Sequence, residues 1–455
     1  MTLKSINPFN GKTIKTYKEH SPKEIDKKIA QTHQTWLSWK ETTFKERSTL
    51  MMNLEKVLKS KKEKLAKLMT EEMGKPYLAG IGEVEKCALV CEYYAKNAKD
   101  FLKDQIIKTD ASKSFVAFEP IGVVLAIMPW NFPFWQVFRF LAPNLMAGNC
   151  DILKHASNVS GCALAIEEMV LDAGFPKYTF QTLFVSGKKV NPIIENPFIK
   201  AVTLTGSTAA GKKVAEKAGS VLKKCVLELG GSDPYIILKD ADLEYAAGAC
   251  VNSRMINNGQ SCIAAKRFIV VKSVEKEFIK LFKQKMESKL MGNPIDKKTD
   301  LGPQARTDLR DELHQQVKKS IAKGAKCILG GEIPKGKGAF YPATILTNLK
   351  KGMPAYDDEL FGPVASIITV KDEKEAIKVA NDSVFGLGSA VFTNDLKRGE
   401  KIAKHQLQAG SAFVNDFVKS DPRLPFGGIN QSGFGRELSS FGIHEFINIK
   451  TIYIK

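Results

Sequence analysis

The chain has 455 residues, 44% of them hydrophobic and 26% charged, a composition that suits roughly two or three globular domains with buried cores. Its net charge is +19, but acidic residues interleave with the basic ones and no basic helix or zinc-finger spacing occurs, which argues against a nucleic-acid-binding protein. No apolar run reaches the about 18 residues of a membrane span, and residues 1–17 lack a signal-peptide core, so we expect a cytoplasmic protein without membrane contact.

The first third of the chain has the pattern of long helices. Residues 21–24 form a capping box with proline at the first helical position, and apolar residues then recur at near-helical spacing. Two further helices are predicted over 43–73 and 78–102, separated by the stop signals Gly74 and Pro76.

From residue 115 the pattern changes to short apolar runs that alternate with helical segments. Strands are predicted over 122–128, 150–154, 180–185, 201–205 and 226–229, with helices over 135–147, 161–173 and 208–218 between them. A second alternating block follows over 243–414. Because strands joined by helices pair in parallel, the sequence predicts an α/β fold with helices on the faces of its sheets.

The chain contains eight cysteines, but none forms a Cys-x-x-Cys pair and none stands at zinc-ligand spacing from a histidine. We therefore expect no metal site and no disulfide framework. Most of these thiols are predicted to be small, reduced core residues.

A glycine-containing turn follows the strand predicted over 201–205 and opens a helix. Backbone N–H groups and the helix dipole at such a turn, here residues 205–213, favour a phosphate. The segment nearly matches the P-loop of nucleotide hydrolases, but Lys213 occupies the place of the Ser or Thr that holds magnesium. A P-loop hydrolase is thus a remote alternative, and a plain glycine-rich turn is another.

Three other segments carry residue types that suit covalent catalysis. Cys262 follows the polar breaker 257–261, a setting that supports a reactive thiolate, whereas the other cysteines lie in apolar or periodic surroundings. Glu228 stands at the end of an apolar strand, where a carboxylate is either paired or kept for proton transfer. Asn131 lies in a proline-flanked loop, where its amide either stabilises an oxyanion or caps its own backbone.

In their order along the chain, these segments resemble the aldehyde dehydrogenase superfamily, and the resemblance runs over essentially the whole length. It rests on Trp130-Asn131, Lys154, Gly206-Ser207 and the segments 228–231, 259–262, 359–363 and 425–428. The compact length and the segments 154–158 and 419–426 are most similar to the short bacterial succinate-semialdehyde dehydrogenases.

The resemblance implies a reaction. Cys262 attacks an aldehyde, and the Asn131 amide and the Cys262 backbone N–H hold the resulting oxyanion. Hydride passes to a nicotinamide dinucleotide, and Glu228 activates the water that hydrolyses the thioester to a carboxylate. In the rival acylating dehydrogenases coenzyme A replaces water, and that chemistry does not need Glu228. A non-enzymatic binding protein on this fold is disfavoured because nucleophile, base and oxyanion donor are all present.

For the cofactor, the resemblance implies that Lys154 and Ser157 face the adenosine ribose. The diphosphate and the nicotinamide end would be contacted by Gly206, Ser207, Trp130, Leu229, Glu359 and Phe361. Many NAD-dependent members carry glutamate where this chain has Ser157, and that carboxylate would repel a 2′-phosphate. We therefore expect NADP to be used at least as well as NAD.

For the substrate, the resemblance implies that Arg139 and Ser420 bind a distal carboxylate, which favours succinate semialdehyde. Arg139 lies on an otherwise apolar helix and needs a counter-anion there. The alternative is a fixed internal Asp or Glu partner. Malonate semialdehyde, glutarate semialdehyde and uncharged aldehydes also remain open.

The resemblance divides the chain into three parts. A Rossmann-like dinucleotide-binding domain is expected over 1–103 and 121–230, a catalytic domain over 231–424 and a small β arm over 104–120 and 437–455. The C-terminal tail is β-branched and apolar, and as an exposed edge it would invite aggregation. We therefore expect the arm to pair between subunits of a homo-oligomer, a dimer or a tetramer.

Overall fold

The computed structural model describes residues 2–455, so residue 1 of the expected cofactor domain lies outside the description. The strands are β1 Thr2–Ile6, β2 Thr13–Lys18, β3 Gln105–Ile106, β4 Lys113–Pro120, β5 Val123–Met128, β6 Cys150–His155, β7 Phe180–Thr182, β8 Ile199–Thr205, β9 Lys224–Glu228, β10 Pro234–Ile237, β11 Arg267–Val271, β12 Lys326–Leu329, β13 Thr344–Thr347, β14 Val364–Val370, β15 Gly388–Phe392, β16 Ser411–Val414, β17 Gly433–Phe434 and β18 Ile447–Ile454.

Helices connect most of these strands. They are α1 Pro22–Trp39, α2 Phe44–Met73, α3 Tyr77–Phe101, α4 Trp135–Met146, α5 Ser160–Asp172, α6 Val190–Glu195, α7 Thr208–Ser220, α8 Leu243–Met255, α9 Glu275–Glu287, α10 Thr307–Ala322, α11 Pro354–Asp357, α12 Glu373–Asn381, α13 Leu396–His405 and α14 Ser439–Ile443. Within residues 2–455 none of them is both long and apolar enough to cross a bilayer.

The three long N-terminal helices begin and end where the sequence predicts. Ser21 caps α1 by accepting from the backbone N–H of Glu24, whose carboxylate in turn accepts from the Ser21 N–H at 2.7 Å. Thr43 forms the same reciprocal cap at α2. Gly74 ends α2 with φ at 74°, a left-handed conformation that glycine adopts without strain.

The five predicted strands of the first block form one sheet. Its order is β17-β9-β8-β5-β6-β7, and β5 to β9 all pair in parallel. Each lies within a few residues of its predicted position, although β7 ends earlier, at Thr182. The edge strand β17 comes from near the C-terminus and pairs antiparallel with β9, so that Gly433 lies opposite Glu228.

The second alternating block forms a seven-stranded sheet of order β12-β13-β14-β11-β10-β15-β16. Only β12 in it runs antiparallel to its neighbour. The chain leaves the first sheet after Glu228 and enters the second at Pro234. Residues 229–233 therefore link the two sheets.

The strands of the expected arm form a separate antiparallel sheet of order β18-β4-β3. Here β4 and β18 pair over their full lengths within one chain. The N-terminal hairpin of β1 and β2 was not predicted from the sequence. Only Leu3, Ser5 and Tyr17 of this hairpin are buried, so its strands carry too weak an apolar alternation to be recognised.

Candidate active site

A cavity of about 290 Å³ lies against the carboxyl ends of three neighbouring parallel strands, β5, β8 and β9. Ligands of open α/β sheets bind in crevices at this edge. Its walls come from both sheets, and eight of the predicted site residues line it: Trp130, Asn131, Gly206, Ser207, Leu229, Cys262, Glu359 and Phe361. The other five, Glu228, Lys154, Ser157, Arg139 and Ser420, lie outside its wall.

The loop before Cys262 is held in an unusual backbone conformation. Asn257 and Asn258 have φ values of 53° and 59°, and Gly259 follows at 76°. The Asn258 amide donates to two carbonyls and accepts from the Gly302 N–H at 2.8 Å, which fixes the loop. Any side chain at Gly259 would overlap the backbone of Gly362. The polar breaker seen in the sequence is thus a rigid support for Cys262.

Cys262 is half-buried, and burial raises the pKa of its thiol to about 12. Positive charge on Lys266 and Arg139 opposes this rise, while Glu359 and Glu228 add to it. The Lys266 ammonium donates to the carbonyl of Cys262 at 2.6 Å, so this buried lysine also holds the nucleophile's backbone. The resting group is therefore a thiol, and its proton must leave when the sulfur attacks.

The amide of Asn131 is fixed next to the Cys262 loop. Its Nδ2 donates to the Gln260 carbonyl at 3.0 Å, and its Oδ1 accepts from Gln136 Nε2 at 3.1 Å. The Asn257 amide also donates to the Asn131 carbonyl at 2.6 Å. A second N–H on Asn131 Nδ2 remains for a ligand. A donor held this firmly suits the stabilisation of an oxyanion.

Glu228 is buried at the end of β9, and neither of its carboxylate oxygens has a hydrogen-bond partner within residues 2–455. Burial, and then the charge of Glu437, raise its pKa well above the usual range. A Cβ at Gly427 would lie 2.7 Å from Glu228 Oε1, so the glycine of the segment 425–428 makes room for this side chain. An unpaired carboxyl group of raised pKa is suited to proton transfer.

Arg139 has an internal carboxylate partner. Its guanidinium forms a buried ion pair with Glu437, donates to Thr205 Oγ1 at 3.3 Å and lies over the ring of Phe426 at 4.6 Å. The internal carboxylate partner is thus present in the structure, and binding of a substrate carboxylate by Arg139 stays a prediction. The partner is present because a buried guanidinium requires a counter-charge in the folded chain itself.

Ser420 lies in the loop between β16 and β17. It is buried, and its hydroxyl accepts a hydrogen bond from Lys86 Nζ at 2.7 Å. Lys86 comes from α3 and was not among the predicted site residues.

On the cofactor side, Ser207 caps α7 by accepting from the Ala210 N–H at 3.3 Å, so the turn at Gly206 opens the helix as predicted. Glu359 accepts from the Gly231 N–H and pairs with Lys266, both at 3.1 Å. The Trp130 and Phe361 rings meet edge to face with centroids 5.8 Å apart and form part of the cavity wall.

Lys154 and Ser157 lie at the end of β6, next to β5 in the sheet. Burial lowers the pKa of Lys154, and no carboxylate within residues 2–455 forms an ion pair with it. Ser157 is exposed in the turn that follows. Between them His155 Nε2 lies 2.9 Å from the Pro133 carbonyl, which ties this corner to the loop that carries Asn131.

Four buried or half-buried polar residues at the site were missed from the sequence: Gln136, Lys266, Glu437 and Lys86. The first two were visible as polar residues inside apolar segments, as Arg139 was. Neither Glu437 nor Lys86 has such a local signal, because each meets its partner only through the tertiary fold.

Comparison with known proteins agrees with the geometry. A model of the aldehyde dehydrogenase family matches residues 1–452. The chain is 48% identical to the "Probable succinate-semialdehyde dehydrogenase [NADP(+)]" of Synechocystis sp., with 100% of both chains covered. It is 43% identical to a succinate semialdehyde dehydrogenase, NAD(P)+, of Escherichia coli, with 99% of this chain and 97% of that one covered. The crystal structure of a succinic semialdehyde dehydrogenase from Streptococcus pyogenes with NADP+ superposes with a TM-score of 0.97 at 36% identity, covering 99% of each chain.

Proposed function

The chain belongs to the aldehyde dehydrogenase family, and we propose that it oxidises succinate semialdehyde to succinate with NADP at least as effective as NAD. NAD(P)-dependent aldehyde oxidation is the activity of its full-length relatives and its own. The observation that carries the proposal is the grouping of a thiol at Cys262, a fixed amide at Asn131 and an unpaired buried carboxyl group at Glu228.

In the first step the Cys262 sulfur bonds to the aldehyde carbon and the thiol proton passes to solvent water. The carbonyl oxygen becomes an oxyanion, which accepts from the free N–H of Asn131 Nδ2 and from the Cys262 backbone N–H. Both donors are in place before the substrate binds, so little reorganisation is needed when charge develops. Such preorganised donors are worth about 2.7–4 kcal/mol in acyl-transfer enzymes.

A nicotinamide ring, when bound, would supply the acceptor for the hydride that leaves the former aldehyde carbon. Loss of that hydride converts the thiohemiacetal on Cys262 into a thioester. Glu228 then takes a proton from water as the water oxygen attacks the thioester carbon. Glu228 returns this proton to the sulfur as the carbon–sulfur bond breaks, so that the carboxylic acid leaves and the Cys262 thiol is restored. The raised pKa of Glu228 brings its proton affinity closer to that of a general base at neutral pH.

Glu228 also bears on the rival acylating reaction. A dehydrogenase that transfers its acyl group to coenzyme A needs no water-activating carboxylate. Here glycine at Gly427 leaves space for the Glu228 carboxyl group, and no polar group within residues 2–455 takes up its oxygens. Water therefore resolves the thioester in the proposed reaction.

The residues present fit a nicotinamide dinucleotide. Gly206 and Ser207 at the start of α7 suit a diphosphate, since free N–H groups at a helix N-terminus bind anions. The Glu359 carboxylate lies so close to Gly230 that a Cβ there would meet it, and both residues line the cavity. We expect a ribose to bind at this wall. Lys154 has no internal anion, and Ser157 beside it is exposed. We assign these two residues to the adenosine ribose and its 2′-phosphate.

Ser157→Glu is expected to depress kcat/KM for NADP by roughly tenfold or more, because a charge-assisted contact is worth about 1.5–3 kcal/mol. The new carboxylate would pair with Lys154 and repel the 2′-phosphate, while leaving NAD unchanged or improved. Initial rates with each cofactor at saturating aldehyde measure the effect. Ser273→Glu, in the exposed turn after β11, is the control. A wild type that does not use NADP, or an equal loss of kcat/KM with both cofactors, would contradict the assignment of Lys154 and Ser157 to the 2′-phosphate.

The substrate proposal is tested by kcat/KM for succinate, malonate and glutarate semialdehydes and for butanal, followed by absorbance of the reduced cofactor with and without coenzyme A. We expect the highest value for succinate semialdehyde, at least about tenfold above butanal, and no dependence on coenzyme A. A preference for butanal would contradict the assigned substrate. A requirement for coenzyme A would contradict the role of water.

We further propose that the chain forms a homo-oligomer, a dimer or a tetramer, that works in the cytoplasm. The outer strand β18 carries the exposed apolar side chains of Ile449, Tyr453 and Ile454. A long exposed edge of this kind calls for a partner. In the reducing cytoplasm all eight cysteines, which are free in the structure, would stay thiols, as the reaction requires of Cys262.

A further inference from the structure

We propose that Lys86, together with Ser420, binds the distal carboxylate of the aldehyde substrate. This inference rests on the proposed function, because it names the group that selects an acidic aldehyde. It adds a cation beside Arg139, whose guanidinium is already paired with Glu437.

The contacts of Lys86 define a small polar site. Its Nζ donates to Ser420 Oγ at 2.7 Å and lies 4.3 Å from the centre of the Trp135 ring. These three residues come from separate parts of the chain: Lys86 from α3, Trp135 from the start of α4 and Ser420 from the loop between β16 and β17. An ammonium with one hydroxyl acceptor and one aromatic face has two N–H donors left.

Every acidic residue near Lys86 is already engaged elsewhere. Glu83, one turn earlier on α3, forms a buried ion pair with Lys75 and accepts from the N–H groups of Phe134 and Trp135 at 2.9 and 3.0 Å. Asp421, next to Ser420, accepts from the Arg423 guanidinium at 2.9 and 2.6 Å.

Glu437 likewise forms its ion pair with Arg139. Within residues 2–455 no carboxylate forms an ion pair with Lys86, although the side chain is only half-exposed. A desolvated cation without an internal anion has a strong need for an external one.

The electrostatics of the site point the same way. Burial, and then the nearby charge of Arg139, lower the pKa of Lys86 to about 8, while Cys87, Glu83 and Asp421 oppose this effect. A bound carboxylate would restore the charged form. Two cations close together also create the positive potential that draws an anionic substrate inward.

The site lies next to the segment of α4 that lines the Cys262 cavity. Gln136 lines the Cys262 cavity. The Lys86 ammonium lies over the ring of its chain neighbour, Trp135. Arg139, one helical turn after Trp135 on α4, lies over the ring of Phe426, which belongs to the same loop as Ser420. An aldehyde carbon at Cys262 and a carboxylate at Lys86 would thus belong to one short molecule.

The test is Lys86→Met, which keeps the aliphatic stem on Trp135 and removes the charge. We expect kcat/KM for succinate semialdehyde to fall by about ten- to hundredfold, mainly through KM, and kcat/KM for butanal to change less than about twofold. Lys86→Arg should retain most of the activity on the acid semialdehyde. Lys96→Met, an exposed lysine on the same helix, is the matched control and should behave as the wild type.

Equal losses for both aldehydes, or no loss for either, would overturn the role of Lys86 and leave the proposed function intact. A wild type that prefers butanal would instead overturn the proposed function. In that case, inhibition of butanal oxidation by succinate still tests whether Lys86 binds a carboxylate. The inhibition should weaken about tenfold or more in Lys86→Met if the site exists, and an unchanged inhibition constant would refute it.

Discussion

Replacement of Cys262 by alanine is expected to lower kcat/KM for every aldehyde by at least about a thousandfold, because removing the nucleophile of a covalent mechanism leaves only binding and oxyanion stabilisation. No other cysteine can substitute. Cys225 and Cys250 belong to other elements, and the exposed Cys327 lies on the edge strand β12 of the second sheet. Initial rates of cofactor reduction measure the loss.

The same variant should still bind NADP, since it removes a single sulfur atom from a cavity whose walls also include Gly206, Ser207 and Glu359. Fluorescence titration with NADPH provides this readout independently of turnover. Cys327→Ser is the matched control and should retain full activity. Substantial aldehyde oxidation by Cys262→Ala would eliminate the proposed nucleophile.

The replacement Glu228→Gln is expected to lower steady-state kcat by about 10²–10⁴-fold, the usual contribution of a general base. The amide has nearly the same shape as the carboxyl group but cannot accept the proton of the attacking water. Hydride transfer precedes that step, so about one equivalent of reduced cofactor should still form rapidly before turnover stalls. Stopped-flow absorbance separates this burst from the steady state.

The pH dependence gives a second signature of Glu228. Burial raises its pKa, so Glu228 ionises and becomes able to act as a base at higher pH than an ordinary carboxyl group. The rate of thioester hydrolysis should therefore rise with pH in the wild type until Glu228 is fully ionised. Glu228→Gln should lose this rise, whereas Glu216→Gln on the exposed face of α7 should keep it. A flat wild-type profile would argue against Glu228 as the base.

Much of the fold was predictable because its signals are local. A few neighbouring residues are enough to indicate the capping boxes at Ser21 and Thr43 and the apolar strands β5, β6 and β8. The hairpin of β1 and β2 was not predictable in this way, since most of its side chains are exposed. Its buried face is small and includes the polar Ser5, so it carries no run of alternating apolar residues.

The residues of the site also differ in whether a local sequence signal identifies them. Cys262, Asn131 and Glu228 stand in motifs whose residue types suggest their chemistry. The partners that tune them come from distant parts of the chain, as when Arg139 meets Glu437. A sequence reveals that a buried arginine needs an anion, but only the fold decides which one it takes. The same limit explains why Lys86 gave no signal before its contact with Ser420 was visible.

The central claim, that an acyl group from succinate semialdehyde is carried on Cys262 and released by water through Glu228, is tested most directly by mass spectrometry of Glu228→Gln. The variant is mixed with succinate semialdehyde and NADP, quenched in acid and digested. We predict the mass of a succinyl group on the peptide that contains Cys262, and none when NADP is omitted or Cys262 is also replaced by alanine. An unmodified Cys262 peptide after a full burst of NADPH, or a succinyl group on another residue, would contradict the account.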